Sequence, residues 1–272
     1  MSLGPFDLNG GEFLALYGVL LVAAIVAGFV IPRWLRPEGR PGTIRNVDQL
    51  AILAGGPTRF VEATITRLFT TGALALIGKD AFQAIDKDKG EGAAAIAVLH
   101  LPTPLRWQDI ERALKAYAQP VERALASAGL LMDKTLTLQM RFWQTSPYLL
   151  LLAFGMTKWM IGVGRDKPVG FLTFLLILTG FFALMRWWAV DRRTRAGIDL
   201  LAQAQAAAER LRRAPTADES AHAVALFGTA VLAGSSWAAF HQMRSASSGD
   251  GGGSADGSSD GGGGGCGGCG GD

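Results

Sequence analysis

Cysteine is almost missing from this sequence. Its two residues, Cys266 and Cys269, lie among the last seven of 272, so no disulfide framework holds a core together. Histidine is nearly as rare. His100, His222 and His241 stand in no metal-ligand or triad spacing, and each reads as an ordinary helix-end or surface residue. No HExxH, GxSxG or paired-carboxylate pattern occurs. Residues 162–167 look like a phosphate loop only at first sight, because they lack the GK[ST] ending and follow no strand. We therefore expect no enzyme and no cofactor. Charge is scarce too, at 18% of residues against roughly a quarter in a soluble domain. The pI near 9.0 rests on a net charge of only +3, which is too little for a nucleic-acid footprint.

What the chain has instead is long apolar runs. Residues 147–164 and 169–190 are two of them, separated only by Arg165, Asp166, Lys167 and Pro168. Four residues leave no room for a domain, so the runs read as an antiparallel membrane hairpin. Residues 13–31 form a third run, 19 residues without a charge, which nearly matches a hydrocarbon core of ~30 Å. Asp7 and Glu12 precede it with no Lys or Arg, the reverse of a signal peptide, so it reads as a retained anchor. Arg33, Arg36, Arg40 and Arg45 follow the first run, and Arg186, Arg192, Arg193 and Arg195 gather at the exit of the third. The positive-inside rule then puts residues 43–143 in the cytoplasm and residues 1–12 outside. The expected fold class is a mainly α membrane protein with a lipid bilayer as its first partner.

Residues 43–143 read as an α+β region of winged-helix-like order. Apolar spacing over 47–54 gives a helix, Gly55-Gly56-Pro57 breaks it, and 57–71 gives a second helix. Residues 74–77 and 81–85 then flank Gly78-Lys79-Asp80 as a hairpin. A tandem arrangement, 44–86 and 92–141, is the alternative. It uses helices at 107–118 and 120–127 and an alternating strand at 134–140. The helix over 57–71 is the candidate interaction element, with Arg59, Glu62 and Arg67 as its charges. Across 43–143 twelve Lys and Arg face ten Asp and Glu, so a protein partner is expected rather than nucleic acid.

Residues 196–243 read as juxtamembrane helices, with Thr216 and Glu219 as a capping box. Segment 221–240 is long enough for a fourth span. It is rich in alanine and divided by Gly234-Ser235-Ser236, so three spans are expected. Residues 245–272 are a Gly/Ser/Cys tail without large apolar side chains, and we expect it to be disordered. Lys158 is the charge set well inside a predicted span. A buried charge there is a functional candidate, but its long stem can snorkel to the outer interface beside Trp159. Cys266 and Cys269 have the spacing of half a zinc site, a weak metal candidate without a second ligand pair, and a credible accessible dithiol.

Asp48–Pro57 (DQLAILAGGP), Gly72-Ala73-Leu74, Lys167–Phe171 (KPVGF), Val224–Gly228 (VALFG) and the glycine tail stand in one order along the chain. In these features it resembles an uncharacterised bacterial family of multi-pass membrane proteins with an LAGGP-type helical segment and a low-complexity Gly/Cys-rich tail. The resemblance implies the bacterial plasma (inner) membrane and no particular activity. The expectation is a non-enzymatic scaffold acting through its cytoplasmic region, with a homo-oligomer left open. The alternatives are a membrane-tethered nucleic-acid-binding regulator and a protein working through its Gly/Cys tail.

Overall fold

The computed structural model describes residues 10–44, 46–78, 80–164 and 169–249. Three of the described helices are long and apolar enough to cross a membrane: α1 (Gly10–Leu35), α5 (Lys134–Val163) and α6 (Gly170–Trp188). Their contacts are made by small residues. A Cβ on Gly155 would stand 2.6 Å from the Tyr17 ring and 2.8 Å from Leu176, and one on Gly28 would stand 2.8 Å from the Tyr148 hydroxyl. Glycine at these two points lets the backbones approach, the usual basis of helix association where lipid removes the hydrophobic driving force. Polar links add to it: the Tyr17 and Thr179 hydroxyls lie 3.0 Å apart, and Arg186 Nε donates to the Gly28 carbonyl at 2.9 Å. Phe171, Phe174, Ile177 and Phe181 face outward from the bundle, as a lipid-facing surface requires.

α5 begins well before its apolar run. The strand expected over residues 134–140 is helical, a correction with a clear cause. Thr137, Met140, Gln144, Tyr148, Leu151 and Gly155 are the inward residues, and their spacing is that of a helix face. Alternating Thr and Leu satisfied a period of two only over a short window. α4 (Trp107–Ser127) likewise runs unbroken through Pro120, where two helices were expected. Ile110, Leu114, Ala118 and Leu125 stay in phase on one buried face, which offsets the hydrogen bond that proline removes.

The remaining elements build one unit at the end of the bundle where α1 and α6 finish and α5 starts. Its centre is α2 (Val47–Thr70), kinked at Gly55 and Gly56, whose φ of +70° favours glycine. Pro57 opens the second half, as the sequence implies. β1 (Leu74–Ile77), β2 (Ala81–Ala84) and β3 (Leu105–Arg106) form a small antiparallel sheet in the order β1-β2-β3. Register runs from Leu74 opposite Ala84 to Ile77 opposite Ala81, and Phe82 pairs with Leu105. α3 (Ala93–Leu99) connects β2 to β3 and packs on α4.

After α6 the chain returns to this unit as α7 (Arg195–Ala207), α8 (Glu209–Arg213), α9 (Ser220–Phe227), a 3₁₀ turn (Thr229–Leu232) and α10 (Ala238–Gly249). α9 lies along α2 and buries Ala223, Val224, Ala225 and Leu226 there. Phe240 of α10 enters a ring cluster, 5.4 Å from Phe69 and 6.3 Å from Phe82 between centroids. Segment 221–240 is thus broken at Gly228 and packed into the unit, and the expected three spans hold among the described residues. α10 continues through residue 249, so the first residues of the expected disordered tail are helical.

Candidate functional site

The charges of the predicted interaction helix point inward. Glu62 is 8% exposed in the second half of α2. Its carboxylate meets Arg59 Nε at 3.5 Å and accepts from Arg244 Nε at 3.1 Å. The Arg244 guanidinium also lies over the Trp107 ring, 3.8 Å from its centroid, a cation–π contact. Arg59 donates from Nη1 to the Val224 carbonyl at 3.3 Å and passes over Gly228, where a Cβ would collide with that nitrogen. Arg59 and Glu62 therefore fasten α9 and α10 onto α2. Phe60, Val61, Ile65, Leu68 and Phe69 are buried around them, so this helix is mostly enclosed and reaches a surface cleft through Ala63, Arg67 and Thr70.

Arg67 behaves differently. Its Nη1 lies 3.9 Å from Asp48, and its buried Nε makes no hydrogen bond among the described residues. It lines a cleft of about 510 Å³ together with Asp48, Glu91, Asp218, Glu219 and His222. Carboxylates outnumber cations in that lining. Glu219 is held at a pKa of about 2 by hydrogen bonds from the Arg210 guanidinium, then from the Thr216 hydroxyl and backbone N–H. The Thr216 N–H donation at 3.2 Å is the capping-box contact that the sequence implies. Burial pushes the His222 imidazole below its usual range, against the opposing pull of Glu219. A neutral imidazole and several carboxylates make the cleft receptive to a cationic group.

The unit meets the bundle through a collar of three segments that are far apart in sequence. Arg36 donates to Asp191 at 2.9 Å and to the Arg193 carbonyl at 3.0 Å. Arg195 and Ala196 donate their backbone N–H groups to the carbonyls of Pro37 and Glu38. The Thr194 hydroxyl donates to the Gly129 carbonyl at 2.8 Å, Arg40 N–H donates to the same carbonyl, and Met132 N–H donates to Arg192 O at 2.7 Å. Gly39 and Gly197 sit so close to Gly129, Thr194 and Leu130 that side chains there would collide. Burial pushes the Asp191 carboxyl up, but the Arg193 N–H and the guanidinium groups of Arg193 and Arg36 outweigh it and hold the group below its usual range.

Lys158 lies in the last turns of α5, and its Nζ stands 5.1 Å from the centroid of the Phe13 ring at the start of α1. Trp159 donates to the Thr173 hydroxyl at 3.0 Å. This places the lysine at the end of the bundle remote from the unit. Cys266 and Cys269 lie outside the described residues, as does the loop 165–168.

Sequence reasoning found Arg59, Glu62 and Arg67 but missed Arg244, Trp107 and the collar. Arg244 is 182 positions from Glu62, and no local pattern announces that pairing. Gly39, Gly129 and Gly197, each beside short polar connections, were the available signal for the collar. No family model, curated protein or solved structure matches the chain.

Proposed function

We propose that the protein is a non-enzymatic, multi-pass scaffold of the bacterial plasma membrane that holds its cytoplasmic unit, residues 43–143 with 196–243, at a fixed orientation for a protein partner. The collar carries this reading. A simple tether needs a flexible linker, whereas here three strands of chain are cross-bonded between Arg36 and Gly197. Arginines at the unit's end of all three spans support the cytoplasmic side by the positive-inside rule. The winged-helix-like order of helix, kink, helix and hairpin belongs to the same proposal.

The cleft around Arg67 gives the partner its chemistry: a segment with lysine or arginine, drawn to Glu91 and Asp218 on the exposed rim. Arg59 is spent on Glu62 and Val224, which supports a protein over a nucleic acid. The test is photo-crosslinking in cells from Ala221 at the cleft edge. A single defined protein adduct is expected, lost in the Glu91→Lys/Asp218→Lys variant. No protein adduct, or salt-sensitive DNA binding by the full-length protein, would overturn the reading.

A further inference from the structure

A second crevice, of about 860 Å³, opens where the unit meets the membrane helices. One wall is the kinked turn of α2, residues 52–57; the other is the last turns of α6. Phe181, Leu184 and Trp188 of that second wall are exposed, Trp188 by 74%. With Phe174 and Ile177 they form one face of α6 at helical spacing, so the apolar wall continues directly into the lipid-facing surface. The polar end holds Arg186, Arg192 and Arg193 against Glu122 and Asp191, an excess of one positive charge. Arg192 spends Nη1 on Glu122 at 3.4 Å, and Arg193 spends Nε on Asp191 at 3.2 Å. A guanidinium has five N–H donors. The other terminal nitrogens of these two arginines make no hydrogen bond among the described residues. The amino end of the second half of α2, at Pro57, also borders the crevice and adds the positive end of a helix dipole.

We propose that this crevice binds one anionic glycerophospholipid from the surrounding leaflet. Its phosphate lies on Arg192 and Arg193, and the upper part of one acyl chain runs along Phe181, Leu184 and Trp188. Basic pockets at the ends of membrane helices suit such headgroups, and the volume falls within the range of small-ligand sites. A soluble anion would leave the apolar wall uncovered. A lipid covers both ends at once.

Native mass spectrometry of the full-length protein in mild detergent tests this, with dioleoyl phosphatidylglycerol and dioleoyl phosphatidylcholine as probes. The expected result is one phosphatidylglycerol adduct that survives collisional activation sufficient to strip phosphatidylcholine. Arg192→Gln and Arg193→Gln each weaken that adduct about tenfold, the size of one charge-assisted hydrogen bond. Ala54→Phe fills the crevice wall without changing charge and removes the adduct. Equal retention of both lipids, or an adduct indifferent to all three variants, overturns the proposal. So does displacement of the lipid by millimolar inorganic phosphate, which would make the site one for a free anion.

Discussion

Glu62 ties α10 to α2 through Arg244 and braces Arg59, which holds α9. It sits between Arg59 and Arg244, and neutralising it takes a shared carboxylate charge from two guanidinium groups in a largely buried place. Glu62→Gln should destabilise the unit by about 3 kcal/mol, the scale for breaking a buried ion pair; thermal unfolding of the detergent-solubilised protein measures it. Glu219 gives a pH prediction of definite sign. Its folded pKa of about 2 lies below the ordinary 4.5, so its support of the α8–α9 turn is complete above 4.5 and fades as pH falls toward 2. Carboxyl-carbon NMR should find that low midpoint, and Arg210→Gln should move it upward. The sequence marked Arg59, Glu62 and Arg67 as the charges of one helix but not where they point. Their direction depends on Val224 and Arg244, which arrive from the far end of the chain.

At the scale of elements, apolar length was enough to locate α1, α5 and α6, because a helix that crosses lipid must show an uninterrupted run. Period and punctuation were less decisive elsewhere. The polar stem of α5 has its inward face set by Thr137, Met140 and Gln144, and only the continuing phase through Tyr148 distinguishes it from a strand. Pro120 reads locally as a stop, yet α4 continues because its buried stripe does. α9 is apolar enough to suggest a membrane, and its burial against α2 is a tertiary fact with no local signature. The bundle itself yields a prediction. Gly155→Leu forces a side chain into Tyr17 and Leu176, and should destabilise the helix packing by roughly 1–3 kcal/mol, as overpacking does. A lowered melting midpoint in detergent, with unchanged helix content, is the expected readout; an unaltered midpoint would refute the contact.

At the scale of the whole molecule, α1 and α6 end, and α5 begins, at the same end of the three-helix bundle, where the unit sits, so three crossings would leave the unit on one face of the membrane. No described helix after α6 is long enough to return, so the chain reaches residue 249 on the unit's side. Cys266 and Cys269 are the only thiols, which makes them natural reporters. If the unit is cytoplasmic, as proposed, an impermeant maleimide should leave both unlabelled in intact cells, and detergent should expose them; labelling without detergent would mean the opposite orientation or a further crossing. The seat of α9 on α2 also bears on how the protein is made. Helix α2 ends at Thr70 and its covering helix starts at Ser220. At usual rates of synthesis the interval is about 10–30 s, during which the apolar flank of α2 stays uncovered. The two later membrane helices, α5 and α6, emerge within that interval. The seat on α2 can therefore be covered only after both helices of the hairpin have been synthesised, so the order of the chain makes the membrane segments precede the closing of the unit.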